Sequence, residues 1–341
     1  MIPFLAEPLK RVGGRGTYED YCDFRELENS ACWVVADGLG GHGGGETASR
    51  IAVEAVLASF CANPEFSSAA LQHHLEAAQR EILKAQKEQP ALSAMRTTIV
   101  VAITDLHHIL WAHVGDSRLY MFEGGRVVFC TKDHSVVQAM VNAGELSLDN
   151  ARHHEDRNRL LRSLGNSEGD LRPSIRDEKW PLYRGTSLLL CTDGFWEYVD
   201  ENEMEVDLAK AGSARDWLAK MEARLLERVA EGHDNYTALG VFFTSQTAPM
   251  PPAMSQRLST APRSKLALDK TMKLVALILG AILVLALSAA SVLIWRTRAT
   301  RRRTDAIRQQ VNNLKDTGAR SASQKHPGTE PREAAGSEQK R

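Results

Sequence analysis

The sequence predicts a mixed α and β domain followed by a single membrane-crossing helix, and three observations carry that reading. Apolar β-type runs alternate with amphipathic helical runs up to about residue 245. Neighbouring strand candidates are separated by tight turns at 105–107 and 123–125, which gives antiparallel hairpins and not a regular βαβ repeat. Finally, LVALILGAILVLALSAASVLIW (274–295) contains no charged residue and is long enough at the helical rise to cross a hydrocarbon core of roughly 30 Å. A buried helix in a soluble domain would need a polar face, and this run offers only Ser288 and Ser291.

In chain order, the strand candidates are 32–36, 97–104, 109–114, 119–122, 126–130, 186–192 and 237–243, each a short apolar run. The helix candidates are 45–60, 67–86, 134–142, 202–210 and 214–229, each with apolar residues at helical spacing. No internal repeat is visible. Residues 246–272 are dense in Ser, Thr, Pro and Met and read as a linker. The transmembrane helix takes 273–295. Residues 296–341 form a basic tail with few large apolar residues, expected to be disordered.

The chain of 341 residues is 43% apolar and 25% charged, enough for a sizeable core. Its net charge of -1 sums an acid-leaning front and a basic tail, so nucleic acid is not the natural partner of the bulk domain. Five scattered cysteines without CxxC spacing exclude a disulfide framework and a zinc site, and fit a reducing cytoplasm. Residues 1–11 lack a continuous apolar stretch and do not read as a signal peptide, which keeps the large domain cytoplasmic on a single-pass inner-membrane protein. The arginines just after the helix outweigh the basic residues just before it, so by charge bias the tail would also lie inside, and its side stays open. Next to the bilayer that basic cluster could hold anionic lipid head groups or merely fix topology.

Carboxylates recur at the ends of apolar strands: Glu19 and Asp20, Asp37 in VVADGLGGHGGG, Asp116 in AHVGDSR, Asp193 in LLLCTDGF and Asp234 in GHDNYT. A carboxylate after a buried strand must be solvated, paired or bound to a cation. Several at one sheet edge would make an oxygen-rich site suited to Mg²⁺ or Mn²⁺. A lone strand-terminal Asp-Gly is ordinarily just a turn; the number of such sites and their common setting point further. The glycine-rich run lacks the GK[ST] of a P-loop, and no cysteine is followed by Arg at the spacing of a cysteine-phosphatase loop.

Read together, RGTYED (15–20), ADGLGGHG (36–43), RTT (96–98), VGDSRLY (114–120), TKDHS (131–135), NRLLRSLG (158–165), CTDGFW (191–196) and DNYT (234–237) resemble, in order, the metal-dependent protein phosphatases of the type-2C group in their bacterial form. The resemblance spans residues 10–243 and implies a four-layer α-β-β-α sandwich, two antiparallel sheets flanked by helices, within a domain 1–245. It implies hydrolysis of phosphoserine or phosphothreonine on phosphorylated proteins, opposing a Ser/Thr kinase, with two or three Mn²⁺ or Mg²⁺ ions per domain. By position Asp37 resembles the carboxylate bridging two metals, with the Gly38 carbonyl as a further ligand. Asp193 and Asp234 resemble the other ligands of one ion and Glu19 that of the second, while Asp116 with Asp193 resembles the pair for a weaker third. Asp20 resembles the neighbour acting through metal-bound water, and Arg15 the guanidinium that grips the substrate phosphate. Two ions sharing Asp37 would acidify a bridging water into a hydroxide for in-line attack, with no covalent intermediate. Leu39 stands where many members carry a His, Tyr18 where Asn is usual and Arg96 where Gly is usual; no leaving-group acid is assigned.

Blander readings exist for single residues. Arg15 alone would be a surface charge, GDSR could turn a hairpin with Asp116 paired to Arg118, and His42 and His134 suit structural hydrogen bonding. Residues 146–158, with His153 and His154, read as a mobile flap beside the site. At the level of the whole chain, the rivals are a non-catalytic membrane-bound module that binds phosphoproteins and a hydrolase of small phosphate esters.

Overall fold

The computed structural model describes residues 4–40, 43–152, 154–166 and 171–244. The linker, transmembrane helix and tail expected over 246–341 lie outside them, as do His42 and His153. Among the described residues no helix is long and apolar enough to cross a membrane.

Among the described residues twelve strands form two antiparallel sheets. The first orders β1 (Phe4–Arg11), β12 (Tyr236–Phe243), β11 (Ser187–Cys191), β7 (Arg118–Glu123) and β8 (Arg126–Cys130) as β1-β12-β11-β7-β8. The second runs β10 (Trp180–Pro181), β6 (His108–Val114), β5 (Ile99–Thr104), β3 (Ala31–Leu39), β2 (Asp20–Glu26), with β4 (Arg96–Thr97) added on β3 and β9 (Ser174–Ile175) on β6.

Strict alternation along β3 shows how the sequence dictates the layering. Trp33 and Val35 point into the core between the sheets, with Val100, Leu119, Met121, Leu190 and Val241. Val34 and Ala36 point the other way, into a core shared with Val53, Val56, Leu71 and Leu75 of helices α1 (Gly44–Ala62) and α2 (Ser68–Glu88). A strand buried on both faces must be apolar throughout, which is why Cys32–Ala36 reads as a continuous hydrophobic run. On the far side Tyr120, Leu189 and Ala238 meet Met204 of α6 (Glu201–Lys210) and Trp217, Leu218 and Met221 of α7 (Ala214–Leu226). The result is the four-layer sandwich that the resemblance implied.

Caps mark where these helices begin. Ser67 accepts the Ala70 N–H, Ser213 the Asp216 N–H, and Asp200 with Glu203 forms a reciprocal capping box at the start of α6. The remaining helices are α3 (Val136–Ala143), α4 (Leu148–Ala151) and the one-turn α5 (Asp193–Trp196).

Four strands go beyond the sequence reading, the two-residue β9 and β10 and the longer β1 and β2. β1 buries only Phe4 and Leu9, carries Pro8 and lies at a sheet edge, and β2 is also an edge strand with mixed burial, so neither shows a hydrophobic run. The single strand expected over 97–104 is two: Thr98 breaks it, exchanging hydrogen bonds with the Asp37 backbone.

Candidate active site and metal centre

One end of the sandwich gathers the strand-terminal acids. Asp37 lies near the end of β3 directly opposite Asp20 at the start of β2, Asp116 follows β6, Asp193 follows β11 and Asp234 precedes β12. Antiparallel pairing brings the end of one strand beside the start of the next, so residues far apart in sequence meet at one edge. Arg15, Glu19, Asp37, Gly38, Leu39, Gly40, Asp116, Asn158, Leu160, Asp193, Asp234 and Asn235 line a cavity of about 220 Å³ there. Asp20 is placed differently: it is 2% exposed, absent from that lining, and its Oδ2 accepts the Thr192 hydroxyl at 2.9 Å from beneath the cavity.

A hydroxyl and amide framework holds these groups. Thr98 Oγ1 accepts the Asp37 N–H at 3.0 Å, the Thr98 N–H donates to the Asp37 carbonyl at 2.8 Å, and Thr97 Oγ1 donates to the same carbonyl at 2.7 Å. The Thr98 hydroxyl also contacts Ser117 Oγ at 2.7 Å, tying β3 to the loop that carries Asp116. Asn235 fixes the loop before β2: its Oδ1 accepts the Glu19 N–H at 2.7 Å, and its Nδ2 donates to the carbonyls of Val12 and Thr17. Tyr18 reaches Thr237 Oγ1 at 2.5 Å, so the Tyr that replaces the usual Asn anchors the same loop. At Gly38 a methyl group would lie 2.1 Å from the Gly45 carbonyl oxygen and 2.6 Å from that of Glu19, so only glycine permits this approach.

Behind Asp116, the Trp196 indole N–H donates to the Asp116 carbonyl at 3.0 Å, and the Arg118 guanidinium lies 3.4 Å over the indole ring. Arg118 does not pair with Asp116, as the hairpin-turn alternative had it; it grips Asp133 through two hydrogen bonds of 2.8 Å. His134 is structural here, stacked on His113 with ring centroids 4.6 Å apart, its Nδ1 accepting the Gly115 N–H. Burial and the neighbouring His113 press its pKa down to about 3, so it stays neutral. The segment expected as a flap is tied down at two points: Arg152 pairs with Glu201 and Arg157 with Glu197, and Asn158 and Leu160 reach the cavity wall.

Sequence reasoning had not assigned roles to Thr98, Thr192, Asn235, Trp196, Asn158 or Leu160. All six lie inside the matched motifs, which was the available signal.

The sequence model of the family described as protein phosphatase 2C matches residues 16–234, a stretch containing every acid of this site. The chain belongs to the protein phosphatase 2C family. Among its relatives, the serine/threonine phosphatase stp of Listeria welshimeri is 32% identical over 222 residues, covering 63% of this chain and 86% of that protein. The crystal structure of serine/threonine phosphatase Stp1 from Staphylococcus aureus matches 70% of this chain and 95% of its own, with a TM-score of 0.64 at 26% identity. The catalytic domain of the phosphatase PstP, solved in complex with two manganese ions, shares the fold at a TM-score of 0.60 and 23% identity over 71% of this chain and 99% of its own.

For a protein phosphatase 2C the electrostatics of this cavity matter most. Burial pushes the Asp37 carboxyl well up, and Asp20, Asp193 and Asp116 push it further. Asp116 is likewise pushed well up, by burial and then by Asp193. Asp193 rises to about 6 through burial and then Glu197, and Asp20 to about 8 through burial, against hydrogen bonds from Thr237 and Thr192. Glu19 is raised by burial and then by Asp234, with Arg15 opposing. Arg15, bonded to Asp234 Oδ2 at 2.8 Å, is the one cation among the described lining residues. Among the described residues no three acidic, histidine or cysteine side chains are drawn into a finished ligand cluster. The donor set nonetheless fits hard divalent cations: it is all oxygen, rich in carboxyl groups and short of protein cations.

Proposed function

We propose that this protein hydrolyses phosphoserine and phosphothreonine on other proteins with Mn²⁺ or Mg²⁺ bound at the carboxylate end of the sandwich. The enzyme class itself, protein serine/threonine phosphatase, follows from the family. The observation that carries the finer reading is the convergence of Glu19, Asp37, Asp116, Asp193 and Asp234 on one cavity whose only lining cation is Arg15 among the described residues.

Asp37 would be shared by two ions, with the Gly38 carbonyl as a further ligand, Asp193 and Asp234 completing one ion and Glu19 the other, and Asp116 with Asp193 would hold a third. When bound, such ions acidify water near neutral pH and offset phosphate charge. Asp20, buried behind Asp37 and hydrogen-bonded to Thr192, would orient and neutralise the group through which it acts. Arg15 is half exposed on a loop anchored by Asn235. Its planar fork would leave Asp234 for two phosphate oxygens and stabilise them as charge redistributes. Leu160 and Leu39 supply apolar wall that limits water around the reacting phosphate.

The wider reading rests on sequence: a bilayer anchor at 273–295, a cytoplasmic catalytic domain, and a partner Ser/Thr kinase whose products are the substrates.

Hydrolysis of a phosphothreonine peptide, with and without Mn²⁺, beside Asp37→Ala and Asp193→Ala variants tests the core proposal. Metal-dependent phosphate release lost in both variants supports it. Wild-type protein that binds Mn²⁺ and releases no phosphate from any phosphopeptide would overturn it in favour of a binding module.

A further inference from the structure

Arg96 sits on the two-residue strand β4, directly opposite Leu39 of β3. Side chains directly opposed across an antiparallel pair leave the same face with Cβ atoms about 5 Å apart. Leu39 lines the cavity, and Arg96, outside that lining, is the residue paired with it across β3 and β4. The neighbours leave its side chain no inward alternative: Met95 is 1% exposed and Thr97 fully buried, whereas Arg96 is exposed. The strand is also held from its other edge, because Thr97 and Leu164 exchange hydrogen bonds of 3.2 and 2.8 Å.

This guanidinium is displayed on fixed backbone, and among the described residues no carboxylate forms an ion pair with it. Arg15 belongs to the loop that leads into β2, on the opposite edge of β3 from β4. Leu39 therefore lies between two arginines, and only Arg15 touches a carboxylate of the site. Arg162 is exposed on the segment that brings Asn158 and Leu160 to the cavity, while Arg159 on the same segment is paired with Asp156 at 3.0 Å.

We infer that Arg96 is a specificity-determining residue that selects substrate segments carrying an anionic side chain, carboxylate or second phosphate, near the phosphoresidue. With the scissile phosphate at Arg15, about three residues of extended chain span roughly 10 Å. A substrate chain running from Arg15 past Leu39 toward β4 would present an anionic side chain within about that span to the Arg96 fork. The inference rests on the phosphatase reading of the same cavity and adds the class of substrate to it.

The test compares kcat/KM of the full chain on three phosphothreonine peptides, flanked by Glu, by phosphoserine and by Lys, with p-nitrophenyl phosphate as a substrate lacking flanking residues. The set is repeated with Arg96→Gln and Arg96→Lys. Wild-type protein favours both anionic peptides over the Lys peptide, Arg96→Gln reduces that preference about threefold to fivefold through KM, and Arg96→Lys restores part of it, as expected for an exposed ion pair. Raised salt weakens the preference, and p-nitrophenyl phosphate is hydrolysed equally by all three proteins. Equal use of the three peptides by wild type, or a preference untouched in Arg96→Gln, overturns the inference while the phosphatase reading stands. Failure of every phosphothreonine peptide would sink the phosphatase reading itself.

Discussion

Stripped of divalent ions, the protein loses stability as the pH rises from about 4 to about 8, opposite to the trend of a domain whose carboxylates are salt-bridged. The cause is the acid cluster. Asp193 carries a pKa of about 6 in the folded chain against its ordinary 3.8, and Asp20 one of about 8. A carboxyl raised by folding binds its proton more tightly in the folded state. Its contribution is fully present below the ordinary value and is lost as the pH climbs through the folded one. For Asp193 the difference of roughly two pH units corresponds to at most about 3 kcal/mol. In a domain of this size that is a fall in Tm of about 6 to 12 °C. Asp20, Asp37 and Asp193 share one electrostatic field, so their effects do not add, but Asp20 extends the decline to about pH 8. Mn²⁺ replaces the protons as the neutralising charge and flattens the profile, recovering about 2.7 kcal/mol at a hundredfold excess over its Kd. Thermal unfolding in a chelator across this range, repeated with Mn²⁺, provides the assay. A chelated protein whose Tm is flat or rises from pH 4 to 8 refutes the argument that these carboxylates crowd one another without protein countercharge.

Three further outcomes follow from the same geometry. Arg118→Met leaves Asp133 buried without its two 2.8 Å partners and costs about 3–5 kcal/mol in urea unfolding, an effect partly relieved in the double variant with Asp133→Asn. Gly194→Ala places a methyl 2.0 Å from the Asn235 carbonyl oxygen; it costs about 1–3 kcal/mol or more and, by moving Asp193 away from Asp234, weakens Mn²⁺ binding measured by calorimetry. Arg15→Ala lowers kcat/KM on a phosphothreonine peptide about 10²-fold, and Arg15→Lys recovers only part because an ammonium cannot bind two phosphate oxygens in a plane.

Much of the fold was legible because β3, β5, β6, β7, β11 and β12 are hydrophobic on both faces or strictly alternating, and their runs stand out between turn residues. β1 and β2 were not, since an edge strand with one buried face and interspersed charge looks locally like loop. At the site the six acids were legible from their strand-end positions, while their supports were not. Asn235, Thr98 and Thr192 are ordinary turn and strand residues until pairing brings Thr98 against Asp37, Thr192 against Asp20 and Asn235 against Glu19. Nor does spacing reveal that Asp20 lies beneath the cavity while Glu19, its neighbour, lines it; alternation along β2 decides that once its register with β3 is set.

The sequence by itself determined the mixed α and β class of the domain, most of its strands and helices, and the chemical type of the site, because hydrophobic period and the supply of carboxylates are local properties of the chain; the four layers came from the family resemblance. Tertiary structure alone decided the partner of each side chain. It gave Arg118 to Asp133, put Trp196 behind Asp116, and set Arg96 opposite Leu39. Those pairings depend on the register between strands that are distant in sequence, and register is fixed only when both sheets close on their common core.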